Sequence, residues 1–224
     1  MYVCNHEVTQ KEYTTYCEYG ASDKIPSVNG VGDNYPAYFV NFFDALAYCN
    51  NRSIAENLTP CYEINNYINP EEWGTVPSSS TDIDGIWANE NIICNFEATG
   101  YRLLTEEEWE YVARGGKNLD TFEYSGSNTF TDVGFSNENC EKNTDGSTKM
   151  TSEIKQKATN SLGIYDMSGN VGEWTWGVNS STARYVRGGS ILQPTNKCTV
   201  YERTSYGSYS RNYYTGFRIC RNAE

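Results

Sequence analysis

An irregular α+β domain is what the sequence predicts. Three observations carry this: well-marked but short helix starts, apolar runs of only two to four residues, and long Gly-, Asn-, Ser- and Thr-rich connections. Thr9-Gln10-Lys11-Glu12 fits a capping box, in which the Thr hydroxyl and the Glu carboxylate satisfy N–H groups that a helix start leaves unpaired. Asn41 with Asp44 opens a second helix through Ala45, Leu46, Tyr48 and Cys49. Thr105-Glu106-Glu107-Glu108 is a further capping box. Leu104 is placed to staple onto Trp109, and Gly115-Gly116 ends that helix. Tyr38-Phe39-Val40, Cys61-Tyr62-Glu63-Ile64 and Tyr185-Val186 read as strands, and 65–89 and 126–147 as loops. No internal repeat and no Pro- or Ser-rich linker divides the chain, so 1–224 reads as a single domain.

Composition narrows the function classes. The chain has 224 residues, with 29 Asp+Glu against 17 Lys+Arg and a formal charge of −12. That balance argues against nucleic acid or an anionic membrane as general partners, because phosphate binding draws on clustered Lys and Arg. Nothing approaches the roughly 20 consecutive apolar residues of a transmembrane segment. Even Ala37 to Cys49 is broken by Asn41 and Asp44. The lone histidine, His6, confines Ser-His-Asp or Cys-His chemistry to the neighbourhood of the first residues and rules out a His-rich metal centre.

The eight cysteines, at positions 4, 17, 49, 61, 94, 140, 198 and 220, include no Cys-x-x-Cys pair. An even, widely spaced set reads either as disulfides in an exported protein or as scattered buried thiols. Met1 runs straight into Tyr2-Val3-Cys4-Asn5-His6 without a leader or lipidation signal, which reads as a trimmed chain whose leader is missing. From Arg184 to Arg221, seven basic residues stand against Glu202 alone, a local charge of +6 that leaves −18 to the rest. Such a segment either meets an anionic partner or pairs with its own acidic body.

Four ordered blocks carry a family resemblance. They are Gly100-Tyr101-Arg102-Leu103-Leu104-Thr105-Glu106-Glu107-Glu108-Trp109 with its continuation to Gly116, the run from Asn160 to Trp174 containing Gly169-Asn170-Val171-Gly172-Glu173-Trp174, then Arg187-Gly188-Gly189-Ser190, and Gly216-Phe217-Arg218. With Glu7-Val8-Thr9 and Phe43-Asp44-Ala45-Leu46-Ala47-Tyr48-Cys49, the chain resembles the formylglycine-generating enzyme (sulfatase-modifying factor) family over nearly its whole length. Leu104 stands where Pro is usual, and Gly172 where Trp is usual. The resemblance implies a variant of the C-type lectin fold, with a small twisted sheet, two main helices and long loops.

That fold carries both an oxidase and pure binding modules, so the site has to decide. The resemblance implies a copper(I) site of two cysteines, the first three residues after the Arg-Gly-Gly-Ser block and the second five further on. Here those positions are Gln193 and Cys198. A carboxamide is a poor copper(I) donor, so the chain is expected not to be an enzyme and to hold no catalytic cofactor. Between Tyr201 and Phe217 there is no Val, Leu, Ile or Met, only Tyr, Ser, Thr, Gly, Asn and Arg with one Glu. That is the composition of antibody contact loops rather than of a core strand.

The arrangement of Arg184, Arg187-Gly188-Gly189-Ser190, Cys198, Arg203, Arg211 and Gly216-Phe217-Arg218 also resembles the variable region of diversity-generating retroelement proteins on this fold. There, template-directed adenine mutagenesis randomises chosen codons, most often AAY codons, between fixed residues. Carried over within segment 184–218, the variable ligand-binding positions are Thr204, Ser205, Tyr206, Gly207, Tyr209, Ser210, Asn212, Tyr213 and Tyr214, with Thr195 and Asn196 beside them. Gln193 and Lys197 are not products of an AAY codon and are excluded. Arg187 and Arg218 belong to the fixed frame, where their planar forks hydrogen-bond carbonyls and carboxylates beneath the surface. The four tyrosines are expected to tolerate alanine without loss of stability, whereas Arg187 and Phe217 are not.

Asp166, Gly169, Val171 and Glu173 fall on positions that resemble a calcium site of the family: two carboxylates and two backbone carbonyls, an oxygen shell for a hard, structural cation. Against this stands the reading in which Asp166 caps a turn and Glu173 pairs with an Arg. Asp145-Gly146 is suggestive, but a second such site is not expected, because Asn137 and Asn139 find no place in it. Taken together, the expectation is a non-catalytic receptor that displays a Tyr-rich, hypervariable face to a macromolecular ligand, a protein or a cell surface. The resemblance implies export to the bacterial cell surface. The alternatives are a formylglycine-generating-type copper oxidase and a binding module of fixed specificity.

Overall fold

The computed structural model describes residues 1–19, 30–83, 85–88, 91–118, 120–142, 146, 149 and 151–223. All three predicted helix starts form, the two predicted capping boxes and a third at Asn41 and Asp44 bonding side chain and backbone in both directions, and they open α1 (Gln10–Tyr16), α2 (Phe42–Ala55) and α3 (Glu106–Ala113). A single turn, α4 (Phe130–Val133), follows. β1 (Tyr2–Val3), β4 (Tyr101–Leu103) and β9 (Ile219–Arg221) make one antiparallel sheet with β9 in the middle. β2 (Tyr62–Ile64) and β3 (Ile92–Cys94) make a second.

The third sheet positions the site. It runs in the order β7 (Arg203–Gly207), β6 (Ala183–Arg187), β5 (Gly172–Ser180) and β8 (Thr215–Phe217), with β5 and β8 parallel and the other pairs antiparallel. Because side chains alternate along a strand, one face of this sheet carries Trp174, Val186 and Phe217 and the other carries Glu173 and Arg187. The first face packs with Phe42, Phe43, Leu46 and Tyr48 of α2 into the main core. On the second side, Trp109 and Val112 of α3 form a separate cluster with Leu104, Met167 and Val200.

Three expectations need correcting. Residues 38–40 are not a strand, because Phe39 is held at φ +62, where β-structure cannot continue. Its N–H donates to Asn212 O at 3.0 Å and its ring meets that of Tyr213 edge-on, so a contact far along the chain sets this conformation. Conversely, the tyrosine-rich segment contains a true strand, β7, at the sheet edge. The eight cysteines are all free thiols, so of the two readings only the scattered one describes the structure. Asp145, Asn89 and Ser147 lie outside the described residues.

Candidate ligand-binding surface

The segment from β7 to β8 wraps around the N-terminus of α2, and it is tied down mainly through its backbone. Phe42 N–H donates to Ser208 O at 3.0 Å, Phe39 N–H to Asn212 O at 3.0 Å and Gly172 N–H to Tyr214 O at 2.8 Å. Ser208 N–H in turn donates to Thr182 O at 2.8 Å. Asn41, the N-cap of α2, reaches Tyr209 O with its side-chain amide at 3.4 Å. A side-chain clamp is added by Arg211, whose Nε and NH2 donate to both oxygens of Asp44 at 2.8 and 2.9 Å. Asp44 also accepts from Asn41 N–H at 2.8 Å, so a single carboxylate caps the helix and holds the loop.

Side chains on this backbone differ in how far they are free. Tyr213 is 45% exposed and Asn196 is exposed, whereas Thr204, Ser205, Gly207, Tyr209, Ser210, Asn212 and Tyr214 are half-buried. Asn212 Nδ2 is sealed from solvent without a hydrogen-bond partner among the described residues. Tyr209 lies over Gly207, where an added Cβ would meet its ring at 2.6 Å, so a larger residue at 207 requires the Tyr209 ring to move or be replaced. Tyr206 departs furthest from expectation. It shares the core-facing side of β7, packs edge-on against Trp174 and Tyr214, and burial pushes its hydroxyl up to about 12. Tyr206→Ala is therefore expected to cost about 2 kcal/mol, seen as a fall of about 4–8 °C in melting temperature. Tyr213→Ala, by contrast, should leave the melting temperature unchanged.

Thr195 and Asn196 stand on the 3-10 turn Thr195–Lys197, where Thr195 N–H donates to Glu138 at 3.0 Å. A cleft of about 170 Å³ joins this turn to the start of β7, lined by Gln193, Lys197, Glu202, Arg203 and Thr204. Gln193 and Lys197, excluded on codon grounds, are thus on the same surface. Beneath it Cys198 is fully buried, and burial pushes its thiol up to about 12, which keeps it protonated.

The basic residues pair within the chain. Arg187 donates to the carbonyls of Tyr201 and Glu202, each at 2.9 Å, and to Glu110 at 2.6 Å, over the ring of Trp109. Arg203 pairs with Glu106 and lies over Tyr185, and Lys197 pairs with Glu202. Arg187, Arg203, Arg211 and Arg218 of the +6 segment therefore meet acids of the body, and Lys197 meets the segment's own Glu202.

Arg218 is the deepest of them, at 0% exposure. It donates to Glu173, itself 1% exposed, and to the carbonyls of Cys4 and Tyr165 at 3.0 and 2.8 Å. Glu173, expected as a calcium ligand, also accepts from Trp109 Nε1 at 2.7 Å, so both its oxygens are committed. Gly169 and Val171 donate their N–H groups to Gly188 O and to Glu7. Asp166 accepts from Lys155 N–H with one oxygen, while the other, Oδ1, is buried without a hydrogen-bond partner among the described residues. Glu7, fully buried, joins this group and was not singled out as a ligand. Burial, and after it the charges of Asp166 and Glu173, raise its carboxyl well above the ordinary range. Three buried carboxylates thus face one guanidinium. Arg218 already neutralises Glu173 and the raised Glu7 carboxyl is held toward its neutral form, so Asp166 Oδ1 is the oxygen of this cluster left open to a cation.

The fold and the surface together define a C-type lectin domain of the formylglycine-generating-enzyme type. The chain belongs to the family described as the sulfatase-modifying factor enzyme 1-like domain, which it matches over residues 1–223. It is similar to Treponema denticola variable protein 1, with a TM-score of 0.79 and 29% identity, covering 98% of this chain and 84% of that one. It is 34% identical to the chaperone protein LppX of Paenibacillus barcinonensis, over 99% of this chain and 80% of that protein. To the formylglycine-generating enzyme of Thermomonospora curvata it is 34% identical over 53% of this chain, which is 48% of the enzyme. Among the described residues, no helix is long and apolar enough to cross a membrane.

Proposed function

We propose that this protein is a non-catalytic receptor whose face, residues 204–214 with Thr195 and Asn196, binds a macromolecular ligand, and that a retroelement diversifies the face. The observation that supports this most is the mode of attachment: Ser208, Tyr209, Asn212 and Tyr214 are held through backbone oxygens and Arg211 by Asp44, so most intervening side chains can change without loosening the loop. A face ordered in advance does not lose binding energy to loop ordering each time its sequence changes. Likeness to a variable protein supports the same reading. Display outside the cytoplasm, at the cell surface, belongs to this proposal.

Sequencing the gene's 3' end in many close isolates tests it. Substitutions clustered at adenine-derived codons of 204–214, with Arg187, Cys198, Arg203, Arg211 and Phe217 constant, are expected. Flat variation would leave a module of fixed specificity, the reading that similarity to a chaperone protein favours. The oxidase reading draws on the formylglycine-generating enzyme relatives, but Gln193 and the sealed Cys198 oppose it. Stoichiometric copper(I) binding under reducing conditions would restore it.

We further propose that a structural calcium ion sits at Asp166, offsetting the buried carboxylates. At a hundredfold excess over its dissociation constant a bound ion contributes about 2.7 kcal/mol. Chelation should therefore lower the melting temperature by about 5–10 °C, and calcium should restore it. An unchanged transition would mean that Arg218 and protons alone balance the cluster.

A further inference from the structure

Cys4, His6 and Glu12 lie apart from the face, and neither the receptor proposal nor the calcium proposal uses them. Their side-chain donor atoms all stand within 4.8 Å of one another. Cys4 Sγ is 3.8 Å from His6 Nδ1 and 3.9 Å from Nε2, and His6 Nδ1 is 3.8 Å from Glu12 Oε2. A thiolate and an imidazole on one tetrahedral zinc, at about 2.3 and 2.0–2.1 Å, stand about 3.6 Å apart. Closing that gap needs only a few tenths of an ångström.

The scaffold holds the three in place. Cys4 and His6 are two apart just beyond β1, where a bend at Asn5 and His6 brings their side chains to 3.8–3.9 Å. Cys4 N–H donates to Ile219 O, Arg218 donates to Cys4 O, Tyr165 N–H donates to Asn5 O and Val8 N–H donates to Phe217 O, which fixes the backbone on both sides of the pair. His6 Nδ1 lies 2.7 Å from Glu7 O and donates there, so Nε2, 3.9 Å from Cys4 Sγ, is the nitrogen left to ligate, and the Nδ1–Glu12 distance shows only that the carboxylate is near. Metal-ligating histidines are oriented by this kind of carbonyl bond. Glu12 is held by its capping box, one oxygen accepting Thr9 N–H at 2.9 Å. All three side chains are partly exposed, so an ion can enter and water can fill a fourth position.

We propose that Cys4, His6 and Glu12 bind a divalent transition-metal ion of the zinc class. A thiolate, a neutral imidazole and a carboxylate supply two negative charges and the borderline-soft donor set that zinc and cobalt accept. Calcium, which takes oxygen donors, is excluded by the same chemistry.

The experiment is a cobalt(II) titration of the reduced full chain, followed by zinc competition. One equivalent is expected to raise a thiolate-to-cobalt charge-transfer band that zinc abolishes. Cys4→Ser and His6→Gln should each remove the band at unchanged melting temperature. No band, or a band that survives His6→Gln and therefore rests on other thiols, would overturn the site. Should either variant fold poorly, the unmodified chain still decides. His6 is its only histidine, so bound zinc must slow acylation of that one imidazole, and an unchanged rate defeats the proposal.

Discussion

Arg218→Met is expected to destabilise the protein by about 3–5 kcal/mol, the cost of removing one partner from a buried ion pair. Against a typical total of about 5–15 kcal/mol, such a loss removes between about a fifth and all of the stability. The guanidinium is 0% exposed and spans Glu173, Cys4 O and Tyr165 O, so methionine would leave a carboxylate that is 1% exposed without its counter-charge and two carbonyls without donors. Glu7 and Asp166, close enough to feel the same charge, would lose it too. Arg218→Lys keeps the charge but not the fork, so it should fall between wild type and the methionine variant. Urea unfolding gives the order directly. A methionine variant within 1 kcal/mol of wild type would remove Arg218 from the frame.

The second large effect concerns the clamp on the face. Asp44 and Arg211, each with 13% of its side chain exposed, form a forked pair, and Asp44 caps α2 with the same carboxylate. Asp44→Ala should cost about 3 kcal/mol, because cap and clamp go together. Arg211→Ala should cost about 2 kcal/mol and leave the cap. The double-mutant cycle should return a coupling of about 1–3 kcal/mol. Hydrogen exchange separates the roles: in Arg211→Ala the amides of 208–214 should exchange faster while those of α2 keep their protection. Unchanged exchange in the loop would mean that its backbone bonds alone order the face.

Much of the scaffold was legible because its signals are local. Thr9 with Glu12, Asn41 with Asp44 and Thr105 with Glu108 each close a box across three residues, and each marks a helix that forms. The family blocks placed Arg187, Cys198, Phe217 and Arg218 in the buried frame. Composition marked 201–217 as unlike a core segment, yet could not tell Tyr213 from Tyr206, because one lies outside the sheet and the other shares a strand face with Trp174. His6 read as a residue that limits chemistry. Cys4 and His6 stand two residues apart in the sequence, but Glu12 joins them only through the cap of α1.

By itself, then, the sequence determined the α+β class, the helix starts, the family and the missing thiol at Gln193. These depend on residue identity and short spacing. Only the tertiary structure decided that Phe39 breaks a strand, that Glu173 answers Arg218, that Glu7 joins the buried cluster, and that the N-terminus of α2 holds the face. Each of these depends on which distant groups share low-dielectric space, Glu173 with Arg218 45 residues apart and Glu7 with Asn170 163 apart. A charge or a strained φ is settled by the partner that offsets its cost, and local sequence does not name that partner.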